Sequence, residues 1–141
     1  MKTVLVGLAA GLLLTMGFLS TEAGARGRKQ NRLKKGDWGG PHIRVSVNDS
    51  SATIEYDCAH GQINGPLVVD RRGRFDLKGT HAREHGGPIR IDEPDASQPA
   101  RYTGWTDGKR MTLTVTLTGK RETVGTYNLT LGSPGRVFKC K

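Results

Sequence analysis

Apolar and polar residues alternate one by one along most of this chain. Ile43, Val45 and Val47 take alternate positions with polar residues between them, and residues 52–58 repeat the pattern. Because successive side chains of a β-strand point to opposite faces, this alternation indicates strands with one buried and one solvated face. No stretch of about ten residues favours a helix, since each contains Gly, Pro or a β-branched run. We therefore expect an all-β fold.

Turn signals divide the alternation into short segments. They lie at residues 48–51, 70–73, 107–108, 119–120 and 132–135. The last of them is expected to lead into a final strand containing Val137, Phe138 and Cys140. About seven or eight strands joined mainly by short turns predict an antiparallel meander that closes into a small barrel. A two-sheet β-sandwich is the alternative.

Residues 1–25 have the layout of a secretory signal peptide. Lys2 provides the positive start, residues 4–19 are apolar, and Ala23 and Ala25 place small residues before the expected cut. An uncleaved anchor is the alternative, but the apolar run of about 16 residues is shorter than the roughly 20 needed to cross a bilayer. We expect a secreted or periplasmic protein, with a basic flexible tail over residues 26–37 and an all-β domain over residues 38–141.

Export would place the two cysteines, Cys58 and Cys140, in an oxidising compartment, where an even number of thiols favours a disulfide. The bond would close a loop of about 80 residues and contribute on the order of 4 kcal/mol to stability by chain entropy. It would also link an early strand to the last one, which fits the closure of a barrel. Two free thiols are the alternative.

Positive charge is concentrated at the start of the expected mature chain. The chain has a net charge of +9, and residues 26–35 contain no acid. The cations there are Arg26, Arg28, Lys29, Arg32, Lys34 and Lys35. Such a cluster attracts an anionic polymer, a membrane surface or an acidic protein; a solubilising tail is the alternative. Specific nucleic-acid recognition is not expected, because the domain lacks the basic, aromatic strand face of oligonucleotide-binding barrels.

A cluster of imidazoles and one carboxylate has the ligand chemistry of a Zn²⁺ or Cu²⁺ site. Its members are His60, His81, Glu84 and His85. Three of them fall in residues 80–99, which we expect to form a long irregular loop with a short strand at Ile89 and Ile91. No zinc signature such as HExxH is present, and polar loop residues that cap turns are the alternative interpretation.

Two further sets of residues bear on function. Glu55 and Asp57 would lie about 7 Å apart on one strand face, a spacing compatible with a hydrolase carboxylate pair and also with an ordinary solvated face. Aromatic and sulfur-containing side chains are available to fill the barrel core or to line a cavity for a small-molecule ligand. They are Tyr56, Phe75, Tyr102, Trp105 and Met111.

Five short strings resemble a group of short exported bacterial proteins. They are DCAHG at 57–61, GRF at 73–75, GTH at 79–81, ARY at 100–102 and FKC at 138–140. The resemblance implies an exported β fold and no particular activity. The meander is also similar in layout to small calycin-type barrels, which bind ligands in the barrel mouth, although such a likeness concerns the fold alone.

These observations lead us to expect a non-enzymatic extracytoplasmic binding or interaction domain, held at anionic envelope material by its basic tail. The first alternative is a secreted metal-binding protein that uses the histidine cluster. The second is a secreted hydrolase, or an enzyme inhibitor that acts through its loops.

Overall fold

The computed structural model describes residues 31–88, 90–93 and 96–140. The expected signal peptide and the cations Arg26, Arg28 and Lys29 lie outside the described residues. None of the described residues is helical. Within these three ranges, no helix is long and apolar enough to cross a membrane.

The described residues form ten strands. In chain order they are β1 (Asn31–Arg32), β2 (Gly36–Gly40), β3 (Ile43–Val47), β4 (Ser51–Tyr56), β5 (Ala59–Asn64), β6 (Val68–Val69), β7 (Arg74–Arg83), β8 (Ser97–Thr106), β9 (Arg110–Leu117) and β10 (Glu122–Leu131). Eight of them close into an antiparallel barrel in the order β10-β2-β3-β4-β5-β7-β8-β9. The predicted all-β barrel is confirmed, and the sandwich alternative is wrong.

The barrel core follows from the alternation in the sequence. Every second residue of β9 is buried, and β3 and β4 behave in the same way. Trp38 is fully buried, and its indole Nε1 donates a hydrogen bond to the carbonyl oxygen of Lys34 at 3.0 Å. Tyr102 is also fully buried and donates to the carbonyl of Thr80 at 2.6 Å. Both aromatic residues can lie in the core because each finds a partner for its polar atom.

Four of the five expected interior residues are buried in this core: Tyr56, Phe75, Tyr102 and Met111. The expectation for Trp105 is wrong, since its side chain is 42% exposed. Tyr102 and Trp105 are separated by an odd number of positions on β8, so they point to opposite faces of the strand.

The start of the chain differs from the expected flexible tail wherever the structure describes it. β1 pairs with β6 in a small second sheet. Leu33 is buried in the core cluster, and its N–H donates to the carbonyl of Leu67 at 3.0 Å. β2 begins at Gly36 and pairs with β3. The pairing of β1 with β6, the buried side chain of Leu33 and its backbone hydrogen bond together hold the start of the described chain in place.

The end of the chain is not the predicted strand. Residues 133–140 contribute only an isolated parallel bridge between Pro41 and Arg136, so the barrel closes instead through β10 and β2. The predicted disulfide between Cys58 and Cys140 is present. It ties the last residues to the turn between β4 and β5, because the cysteine at residue 58 lies in that turn and not in a strand.

The expected loop over residues 80–99 is shorter than predicted. β7 continues to Arg83 and β8 begins at Ser97, so the irregular part spans only residues 84–96. The short strand predicted there is not formed, because Ile91 lies in a turn and is fully exposed. Ile89 lies outside the described residues. The extra residues of β7 place His81 inside the barrel.

Candidate functional site

The four residues of the metal hypothesis do not converge. His60 projects from β5 and its Nδ1 lies 3.0 Å from Oε1 of Glu84. The Nε2 atom of His85 lies 2.5 Å from a carboxylate oxygen of Glu93, whereas His81 is buried. Among the residues that the structure describes, no group of three or more His, Cys, Asp or Glu side chains could hold a metal ion. The structure therefore does not support a zinc or copper site.

Glu55 and Asp57 do not form a carboxylate pair. Glu55 lies 3.7 Å from the guanidinium of Arg44. Asp57 follows the end of β4 and accepts a hydrogen bond from the backbone N–H of Phe138 at 2.7 Å. That bond, with a smaller contribution from the His42 imidazole, lowers the pKa of the Asp57 carboxyl. Asp57 anchors the end of the chain, and the geometry gives no support to a hydrolase.

Four cations from two separate parts of the chain meet at one end of the barrel. Arg32 and Lys34 come from the first described residues, and Arg71 and Arg72 come from the turn before β7. They line a cavity of about 450 Å³ together with the side chain of Trp105. We call this region, made of these four cations and Trp105, the basic groove.

The two acidic residues of this cavity, Asp70 and Asp107, hold turns in place. Asp70 accepts backbone hydrogen bonds from Arg72 and Arg74, both at 2.8 Å. Asp107 accepts two backbone hydrogen bonds in the same way from residues 109 and 110. The donated N–H groups keep the pKa of each carboxyl below its ordinary value. Both acids therefore have hydrogen-bond partners within their own turns.

The cations of the basic groove form no close ion pair with these acids, although the charge of Arg72 helps to lower the pKa of Asp70. Within the described part of the chain, Lys34, Arg71 and Arg72 form no ion pair through their side chains, and Arg32 donates only to a backbone carbonyl, that of Asp49, at 3.1 Å. The indole of Trp105 is fixed beside them, because its Nε1 donates to the carbonyl of Arg72 at 2.9 Å. The cavity lining thus carries four cations against two carboxylates, beside an aromatic ring that a hydrogen bond holds in place.

The sequence identified only part of this groove. Arg32 and Lys34 belong to the predicted tail, but the third described cation of that tail, Lys35, forms an ion pair with Asp49. For Arg71 and Arg72 the sequence predicts only a turn. These two arginines lie close to Arg32 and Lys34 because β1 pairs with β6, and no local pattern in the sequence indicates that pairing.

A second cavity, also of about 450 Å³, lies at the other end of β7. Its lining includes Tyr56, His81, Arg83, Glu84 and Tyr127, and we call it the mouth cavity. The His81 ring is 3% exposed and packs against Tyr56, with the ring centroids 5.2 Å apart. The Tyr56 ring in turn packs against Tyr127 at 5.7 Å.

His81 carries the most unusual polar atom in the described residues. Its Nδ1 is buried and has no hydrogen-bond partner, a situation that costs about 1–3 kcal/mol. Burial lowers the pKa of His81, and the positive charges of Arg83 and His60 lower it further. The imidazole is therefore neutral near pH 7. A buried polar atom without a partner is rare in native proteins.

Comparison with known proteins adds no further guide to these two sites. The chain matches no family model, no curated protein and no solved structure.

Proposed function

We propose that this protein is a non-enzymatic, extracytoplasmic binding domain that attaches to anionic polymers of the cell envelope through its basic groove. The observation that carries the proposal is the meeting of four cations, which outnumber the two carboxylates of the cavity and form no close ion pair with them, around the exposed ring of Trp105. Arg26, Arg28 and Lys29 shortly precede the groove residues in the sequence.

Charge of this kind favours a ligand with repeated negative groups. Each cation that neutralises a fixed anion releases a condensed counterion, so binding to a polyanion is strong at low salt and weakens steeply as salt rises. An acidic polysaccharide also presents the apolar faces of its sugar rings, which can pack on the indole of Trp105. A polymer of uronic acids therefore suits both components of the groove.

The disulfide is consistent with a protein that folds outside the cytoplasm. We infer export through the signal peptide at residues 1–25, which leaves the tail and the groove on a mature protein that is secreted or periplasmic. Attachment to envelope material would then keep a small protein at the cell surface.

The test neutralises the groove without deleting any of the chain, since Leu33 and β1 pack against the barrel. One variant combines Arg32→Gln, Lys34→Gln, Arg71→Gln and Arg72→Gln. A matched control removes equal charge elsewhere, through Lys78→Gln, Arg101→Gln, Lys120→Gln and Arg121→Gln. Binding of both proteins to polygalacturonate is measured over a range of salt concentrations, with neutral dextran as the negative control.

The groove variant is expected to bind polygalacturonate at least tenfold more weakly at low salt and to show a shallower dependence on salt. The control variant should lose much less affinity, although its net charge is the same. Equal losses in the two variants would show that only net charge matters and would overturn the proposal. Equal binding of the unmodified protein to dextran would do so as well.

A further inference from the structure

The mouth cavity lies at the opposite end of the barrel from the basic groove, because the groove meets β7 just before its first residue and the cavity meets its last. Its walls are the Tyr56 and Tyr127 rings and the side chain of Val124. A volume of about 450 Å³ lies within the range of about 300–1,000 Å³ that small-molecule sites occupy. The cavity thus has the size and the aromatic lining of a ligand site.

The acidic groups of the mouth cavity already have partners. Asp57 accepts the N–H of Phe138 at 2.7 Å, and its other oxygen lies 2.5 Å from Nδ1 of His42. Glu84 lies 3.0 Å from the His60 imidazole. Lys139 approaches the same carboxylate oxygen of Glu84 at 4.0 Å. These carboxylates hold the rim together.

The basic groups of the cavity do not have partners. In the described part of the chain, the Arg83 guanidinium makes no hydrogen bond and no ion pair. The buried Nδ1 of His81, two residues earlier on the same strand, also lacks a partner. Because alternate residues of a strand share a face, these two side chains approach the cavity from the same side. The unused hydrogen-bonding capacity therefore consists of a guanidinium fork and one imidazole nitrogen.

We propose that the mouth cavity binds a small organic carboxylate, with its apolar body against Tyr56 and Tyr127 and its carboxylate held by the Arg83 guanidinium beside the His81 ring. A guanidinium matches a carboxylate in a planar, two-bond arrangement that no other side chain offers. The His81 ring lines the same cavity and reports on a ligand bound there, although its buried Nδ1 is not accessible to the ligand. The aromatic walls select for a ligand with an apolar ring or chain over a fully hydrated anion.

The test uses benzoate as the probe, with benzamide and inorganic phosphate as comparisons, on the mature chain at neutral pH. Benzamide has the shape of benzoate without its charge, and phosphate has the charge without an apolar body. Binding is followed by NMR at the His81 ring and the Arg83 side chain, with the Trp105 indole N–H as a reporter on the basic groove. We expect benzoate to shift the His81 and Arg83 resonances saturably, and benzamide and phosphate to bind at least tenfold more weakly.

Two substitutions assign the effect to one guanidinium. Arg83→Gln is expected to reduce benzoate affinity at least tenfold, to the level of benzamide. Arg101→Gln removes an exposed arginine that is paired with Asp76 on the outer surface, and it should leave the affinity unchanged. Equal losses in both variants, or benzoate shifts at Trp105 without shifts at His81, would overturn the proposal.

The comparison of benzoate with benzamide on the unmodified protein does not depend on any variant folding correctly. Failure of benzoate to shift His81 at all would also overturn the proposal. Retention on polygalacturonate reports on the basic groove alone, so the two proposals can fail independently.

Discussion

Removing the disulfide tests how this small barrel is stabilised. The perturbation is the double variant Cys58→Ala, Cys140→Ala, which deletes the bond without introducing reactive thiols. The bond joins residues that are 82 positions apart. In the chain-entropy treatment, opening a loop of this length increases the entropy of the unfolded chain by about 15 cal/mol/K, which corresponds to about 4.5 kcal/mol at 25 °C.

The native structure indicates that the barrel itself survives this change. β10 and β2 close the barrel through the pairs Thr130 with Gly39 and Leu131 with Trp38, and the disulfide takes no part in them. Residues 133–140 are held by a few backbone hydrogen bonds, among them Arg136 to Gly40 at 3.0 Å. Without the bond this segment loses its covalent attachment while the strands stay paired.

The free energy of unfolding is measured by urea titration, with far-ultraviolet circular dichroism and tryptophan fluorescence as two probes. We expect a loss of about 4 kcal/mol with native β content retained. A Cys58→Ala chain that ends at Gly135 is the matched control, because it lacks the bond and also the contacts of the last residues. It should fall within about 1 kcal/mol of the double variant, since few contacts of that segment are apolar.

Two outcomes would refute this reasoning. A loss below about 1 kcal/mol would show that the bond does not act through the unfolded chain. Loss of the β spectrum in the double variant would show that closure of the barrel depends on the bond and not on the pairing of β10 with β2.

Two further predictions concern single residues. Gly104→Ala should lower the free energy of unfolding by about 3 kcal/mol or more in urea titrations, because a Cβ there would overlap the carbonyl oxygen of Thr112. Gly119→Ala is the control: its Cβ would meet no atom within 4 Å, so the free energy of unfolding should hardly change. In an NMR pH titration, His81 should titrate below its ordinary pKa of 6.5 and His85 above it, because His81 is buried and His85 is held by the Gly86 carbonyl and Glu93. At His81 the folded protein binds fewer protons than the unfolded chain does. The contribution of His81 to the free energy of unfolding is therefore complete above pH 6.5 and declines as the pH falls toward the folded-state pKa. A His81 pKa at or above 6.5 would contradict this.

Local pattern was sufficient to predict the strands and most of the core. The alternation of β3 and β9 follows directly from the spacing of their apolar residues, and the turns at residues 48–51 and 107–108 lie where the turn signals are. The same rule places Trp105 on the outer surface, since Trp105 lies three positions after Tyr102 on β8 and Tyr102 points inward. Strands, turns and the direction of side chains on a strand depend on residues that are adjacent in the sequence, so they can be predicted from one sequence.

The candidate sites depended on contacts between distant residues. Arg71 joins Arg32 in the basic groove because a two-residue strand near the start of the chain pairs with β6. The sequence predicts a loop at His81. Because β7 continues through Arg83, His81 lies on a strand and its side chain points into the barrel. In both cases the residue type was visible in the sequence, but its partners were not.

Strand periodicity and the number of thiols can be read along the chain, and they predict an all-β protein with one disulfide and a cluster of cations near its start. The way in which the barrel closes, the position of the basic groove and the mouth cavity, and the pairing of the charged groups follow from the three-dimensional structure. Burial and charge compensation depend on atoms that strand pairing brings together from distant parts of the chain.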